Sequence, residues 1–299
     1  MSLRYVVLDF DGTCTRVDQI QATYMERYRA LLSEAVGSAW VDGLWDAAER
    51  ELHELSPHAG WTLGGAQAAP VTADPYILSG EIVLHMQRHD GGGAKVTVPE
   101  DLYPRAYEEA TAPWRDETAT VLEALVATGV KVCFVSNAST GKLTKRLAKL
   151  LENKPGLFEQ IPVYGDAGKF RVREPFYEAR TFEASGAALW GAFAGLPLGA
   201  MVPGLQRPVY LRRGAYFEAL CRLWKGDPQG PARTLVVGDV WELVLAMPAA
   251  MGSHVHLIER AAPYGTFAYE REGVLGLGAR GAVSATLEPV VERVRGLRG

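Results

Sequence analysis

The sequence predicts an α/β fold: a Rossmann-like core on a parallel sheet, interrupted near its start by a mostly helical inserted domain. Three observations predict it. Short β-branched runs that are apolar on both faces recur along the chain, as expected of strands covered by helices on either side. Segments of 3.6-residue periodicity lie between them, and alternation of strand and helix implies right-handed parallel crossovers. Finally, residues 11–130 separate the first strand from the second, far more than one crossover helix requires.

In chain order, Tyr5–Phe10 reads as the first strand. Helical patterns follow at Ile20–Ala35 and Trp40–Leu55. A looser stretch then carries Gly64-Gly65, Pro70, Pro75 and Gly91-Gly92-Gly93, and the glycine run reads as a mobile loop rather than a phosphate cradle. This sets an inserted domain at 16–105 and a core domain at 1–15 and 106–299. Trp40, Trp45 and Trp61 are expected to pack the core of the insert, with one or two of them placed to face a ligand. Glu117–Thr128 repeats apolar residues at Val121, Leu122, Leu125 and Val126, and Gly129 stops it. Lys131–Ser136 is the second strand and Lys142–Leu151 the next helix. Ile161–Tyr164 is a weaker strand. Residues 174–208, rich in Gly, Ala and Pro, suggest no element. Tyr216–Trp224 reads as a helix, and Thr234–Gly238 and His254–Ile258 as the last strands.

Composition narrows the class. The 299 residues are 48% hydrophobic and 22% charged with a net charge of −4, values of a globular protein with a substantial core. No basic excess points to nucleic acid, and no apolar run reaches the ~20 residues of a membrane helix. The chain opens directly on a strand, with no secretory leader pattern. Three scattered cysteines, Cys14, Cys133 and Cys221, make neither a disulfide framework nor a zinc motif. A cytoplasmic location is the expectation, and nothing sets an oligomeric state. His53, His58, His85 and His89 all lie in the insert and could bind a metal there, but their spacings match no tight site and they read as surface residues.

Three strands end in polar residues: Asp9-Phe10-Asp11-Gly12-Thr13, Ser136-Asn137 and Gly238-Asp239. In an open parallel sheet the ligand crevice lies outside these carboxyl edges, so Asp9, Asp11, Ser136 and Asp239 should converge. Asp9 and Asp11 share a face if the segment is extended, and Gly12 permits a sharp turn. Carboxylates crowded together repel unless a cation lies between them, and oxygen-only donors suit Mg²⁺. One carboxylate can then act as a nucleophile and a second as an acid and base. Ser136 could instead merely cap the next helix. Asp166 could be an auxiliary neighbour of the cation but reads first as a turn residue. Cys14 has no histidine partner and is not read as a nucleophile.

Asp9-Phe10-Asp11-Gly12-Thr13 matches the DxDGT motif of the haloacid dehalogenase (HAD) superfamily, and Val135-Ser136-Asn137 and Val236-Val237-Gly238-Asp239 resemble its second and fourth motifs in the right order. The resemblance covers roughly 1–15 and 106–260, and the position of the insert implies a helical C1-type cap. It implies a Mg²⁺-dependent phosphatase acting on a small phosphorylated metabolite through an aspartyl-phosphate. Asp9 would be the nucleophile and Asp11 the acid/base, the latter pointing to an oxygen leaving group. The Asp9 and Asp239 side chains and the Asp11 carbonyl would hold the metal. Ser136, Asn137 and Thr13 would meet the phosphoryl group. The family's basic third motif falls on Lys169, or on Arg213 or Arg212. The second acid of its fourth motif is missing, since Leu243 and Val244 stand there. Glu242 either substitutes for it through a metal-bound water or is a solvated residue in the first turn of a helix. A phosphomutase or a catalytically silent binding protein could share the scaffold. A phosphonatase would need an insert lysine, and 16–105 offers only Lys95.

Overall fold

The computed structural model describes residues 2–89, 96–172 and 186–298; the Gly91–Gly93 run and Lys95 lie outside them. Strand β1 (Tyr5–Leu8) leads to helices α1 (Gln21–Val36) and α2 (Ser38–Leu55), a hairpin of β2 (Gly60–Leu63) and β3 (Ala66–Pro70), then α3 (Pro75–His89) and α4 (Leu102–Glu109). Helix α5 (Thr118–Ala127) precedes β4 (Lys131–Val135), α6 (Thr140–Leu150), the single turn α7 (Pro155–Phe158) and β5 (Val163–Tyr164). Helix α8 (Gly186–Ala194) and a short hairpin, β6 (Gly199–Ala200) with β7 (Val209–Tyr210), lead to α9 (Gly214–Trp224). The chain closes with β8 (Thr234–Gly238), α10 (Ala246–Ala250), β9 (His254–Ile258), α11 (Ala268–Leu275), β10 (Gly281–Ser284) and α12 (Glu288–Arg298).

The main sheet has six parallel strands in the order β10-β9-β8-β1-β4-β5. All five expected strands are present. The sixth, β10, was not legible, because Gly-Ala-Val-Ser is short and carries one large apolar residue. β1 is central, with Val7 level with Cys133 and Val236. Its residues alternate between faces, as the two-residue strand period requires. Val7 packs with Tyr216 and Phe217 of α9, whereas Val6 and Leu8 pack with Leu122 of α5 and Val290 of α12. Strand order runs outward from β1 through β4 on one side and from β8 through β9 on the other. The β1–β8 junction is therefore the switch point where a crevice opens.

Helices α1 to α4 form a separate core around Tyr24, Leu32, Trp45, Leu78 and Ile82. This layer runs on to Glu109, beyond the expected limit at 105, because Ala106 and Tyr107 of α4 belong to the same core. The chain leaves and re-enters the sheet domain side by side: Thr15 bridges Trp114, and the Arg115 N–H donates to the Cys14 carbonyl at 2.9 Å. The insert also holds the β2–β3 hairpin, whose Ala68 and Ala69 pack into the core of the sheet domain.

Candidate active site

Two strand ends at the switch point carry the central carboxylates. Asp9 follows β1 and its N–H donates to the Val237 carbonyl of β8 at 3.0 Å, which fixes its direction. Its Oδ1 accepts from the Phe10 N–H and from Lys169 Nζ, each at 2.7 Å. Asp239 follows β8 and accepts from Thr13 Oγ1 at 3.1 Å. Gly12 makes this approach possible. Its φ is +76°, and a Cβ there would lie 2.1 Å from Asp239 Oδ2, so any side chain would collide with the carboxylate.

Asp11 turns toward the insert. Tyr107 of α4 donates its hydroxyl to both Asp11 oxygens, at 2.9 and 3.2 Å. Burial raises the Asp11 carboxyl to about 7, with Asp9 adding to the rise and the Tyr107 hydrogen bond opposing it. Asp239 is likewise raised to about 7, by burial and then by the charge of Asp9. Asp74 comes from the insert. It accepts from the Ile77 N–H at 2.7 Å at the start of α3, and burial raises it to about 6. These carboxyl groups are pushed toward neutrality because they are buried together.

Lys169 is 1% exposed and is the only cation lining the cleft among the described residues. A tight turn delivers it. Asp166 and Gly168 adopt positive φ, the exposed Asp166 carboxylate accepts from the Thr140 N–H at 3.2 Å, and Asn137 Oδ1 accepts from the Lys169 N–H at 2.8 Å. Asp166 is thus the turn residue its sequence context suggested. Ser136 Oγ accepts from the Ala138 N–H at 3.0 Å and lines the cleft beside Asn137.

Other expected site residues lie elsewhere. Arg213 is fully buried away from the cleft, donating to the carbonyls of Lys169 and Ala68 at 2.7 Å each and of Tyr210 at 3.1 Å. It clamps the lysine turn rather than meeting a ligand. Arg212 donates to the Leu196 and Ala194 carbonyls. Thr13 is buried and holds Asp239, so it does not face the cleft. Glu242 is neither a metal neighbour nor solvated. It is fully buried in a π-helical turn, Trp241–Leu245. Both its oxygens accept from Arg207 at 2.7 Å, and Tyr269 donates to Oε1 at 2.6 Å. With no charge left over, it has nothing to offer a cation. Burial pushes the Cys14 thiol far up, which keeps it neutral and unreactive. Tyr107 and Asp74 were missed by the sequence reading, since both reach the cleft from the insert.

The cleft encloses about 450 Å³ between sheet domain and insert. Its floor is polar and its walls aromatic, with Tyr76, Tyr103, Trp61 and Phe170 among the lining residues. Trp61 therefore lines the cleft, while Trp45 packs the insert core as expected.

No family model and no curated protein matches the chain. Solved structures similar to it include a HAD phosphatase from Thermococcus onnurineus, at 15% identity and a TM-score of 0.49, covering 99% of this chain and 100% of that one. YfnB of Bacillus subtilis, described as a HAD hydrolase and bound to magnesium, shares 13% identity at a TM-score of 0.48 over 99% and 100% of the two chains. The L-2-haloacid dehalogenase of Xanthobacter autotrophicus shares 14% at 0.40 over 98% and 99%. These structures are HAD hydrolases, phosphatases and dehalogenases alike, and at such distances they speak to no activity. Fold and site by themselves define an α/β protein with an acidic cleft at the carboxyl edge of a parallel sheet.

Proposed function

We propose that the chain is a Mg²⁺-dependent phosphohydrolase of the HAD type that acts on a small phosphorylated substrate through Asp9. The observation that carries this reading is the arrangement around Asp9: a carboxylate at a central strand end, oriented by Lys169 Nζ at 2.7 Å, with a protonatable Asp11 two residues on. Four carboxyl groups face one lysine in the cleft. This oxygen-only, charge-excess donor set fits a hard divalent cation. Asp9 and Asp239 would hold it, with the Asp11 backbone carbonyl. When bound, Mg²⁺ neutralises charge on the phosphoryl oxygens.

The chain's own residues supply the rest. Lys169 and the Phe10 N–H hold the Asp9 carboxylate in one orientation. An Asp9 oxygen attacks phosphorus and the bond to the leaving oxygen breaks. Asp11, neutral because it is buried, gives that oxygen its proton. Water then attacks the aspartyl-phosphate and Asp11 takes a proton from it. Inorganic phosphate leaves and the Asp9 carboxylate is restored. Ser136 and Asn137, at the end of β4, offer a hydroxyl and an amide to the phosphoryl group. An acid at position 11 supports an oxygen leaving group over a halide, which needs no proton. The test is phosphate release from phosphate monoesters with and without Mg²⁺. Release should need the metal and disappear in Asp9→Asn with folding retained; undiminished turnover in that variant overturns the reading.

A further inference from the structure

Resting on that reading, we propose that the substrate is a phosphate monoester whose leaving group is an uncharged alcohol or phenol bearing a flat ring. The cleft has two chemically distinct parts. Its floor holds Asp9, Asp239 and Lys169, and Lys169 is committed to Asp9. The walls are built for a ring. Trp61 of the β2–β3 hairpin and Phe170, next to Lys169, stand 5.2 Å apart between centroids. Tyr76, which also lines the cleft, meets Tyr103 and Tyr107 edge-on, at 6.3 and 4.8 Å. Such faces suit stacked or edge-on aromatic contacts. The Tyr76 hydroxyl is buried and has no hydrogen-bond partner among the described residues.

Charge argues in the same direction. A leaving group with its own carboxylate or second phosphate needs a second cation, and none among the described residues lines the walls. Of the cations nearby, Lys142 Nζ donates to the Tyr107 carbonyl at 3.3 Å and Arg146 stacks on Phe10 and Trp114, while Arg171 lies over the Phe170 ring at 5.7 Å without lining the cleft. Asp74 adds a negative wall instead, which repels an anionic leaving group and favours one with a hydroxyl or amino donor.

The experiment compares kcat/KM for phenyl phosphate and a nucleoside 5′-monophosphate with that for phosphoglycolate and fructose 1,6-bisphosphate, in saturating Mg²⁺. At least one ring-bearing ester should lead both anionic esters by about a hundredfold, and the better of the two identifies a phenolic or nucleoside source. Trp61→Ala should shrink that lead about tenfold. Equal rates for all four esters overturn the substrate inference and leave the hydrolase reading standing. No phosphate from any of them, with Asp9 intact, sinks the hydrolase reading and the inference with it.

A second observation, independent of the cleft, concerns the insert. Glu51 of α2 and His85 and His89 of α3 place one ligand atom each within 4.8 Å of one another. The two histidines are four residues apart, so they share a helix face, and their rings lie 4.3 Å apart between centroids. His85 Nε2 is 3.0 Å from Glu51 Oε2, and His85 is buried rather than on the surface as its sequence context suggested. The geometry points to a zinc site tying α2 to α3, since two imidazoles and a carboxylate are a known zinc donor set. Isothermal titration with Zn²⁺ in saturating Mg²⁺ should show one saturable site, weakened more than tenfold by His89→Ala, an exposed position whose loss leaves the fold intact. No saturable binding, or unchanged affinity in that variant, overturns it.

Discussion

Asp11 is held by two opposing influences, and its role depends on their balance. Burial and the charge of Asp9 favour its neutral form, while the Tyr107 hydroxyl favours the carboxylate. An acid that must donate in the first step loses activity as it ionises, so the alkaline limb of the pH–rate profile should report Asp11. Tyr107→Phe removes a donor to the carboxylate, which raises the Asp11 pKa and moves that limb to higher pH. A limb that stays put or moves down would show that the hydrogen bond does not tune this acid. At this scale the sequence was legible where the backbone alone sets position. Asp9, Asp11 and Asp239 sit at the ends of apolar strands, where a carboxylate is costly without a purpose. Tyr107 and Asp74 were not legible, because only the docking of the insert brings them to the cleft.

Elements explain the two residues that the motif pattern misplaced. Glu242 follows Asp239 closely enough to suggest a shared metal, but the π-helical turn Trp241–Leu245 directs it toward Arg207 and Tyr269. Neither partner announces itself in sequence: Arg207 lies in a glycine- and proline-rich segment and Tyr269 on α11. Breaking a buried ion pair costs about 3–5 kcal/mol, so Arg207→Ala should unfold at markedly lower temperature by calorimetry. Glu242→Gln should keep Mg²⁺ affinity, whereas Asp239→Asn should lose it; the opposite ranking in titrations would return Glu242 to the metal. Arg213 is the second case. It joins the lysine turn, β3 and β7 through three carbonyls, and a guanidinium serves this better than an ammonium because its donors fork in a plane. Arg213→Ala leaves those carbonyls without donors and should cost about 3 kcal/mol in denaturant unfolding. Long-range side-chain accounting of this kind has no local signature, whereas the strands and the amphipathic helices do. The exception, β10, is too short and small-residued to show a period.

At the scale of the whole molecule, sheet domain and insert meet across a cleft that concentrates negative charge, and this couples folding to pH and to metal. Asp11 and Asp239 titrate near 7 in the folded chain, against an ordinary value of 3.8. The folded state thus keeps protons that the unfolded state releases, and stability falls as pH rises from about 4 to about 7. One such group contributes at most about 1.4 kcal/mol per pH unit across that window. A divalent cation reverses the trend, because it binds the ionised carboxylates and competes with their protons. At a hundredfold excess over its dissociation constant it adds about 2.7 kcal/mol, which for a chain of this size is about 5 °C in Tm. Scanning calorimetry should therefore show the metal-free protein melting lower at pH 8 than at pH 5. Mg²⁺ should restore several degrees at pH 8 and little at pH 5, and Asp239→Asn should respond to Mg²⁺ at neither. Equal Mg²⁺ shifts at the two pH values would mean that the cation binds away from these carboxylates, and the acidic cleft would then need another explanation for its four carboxyl groups.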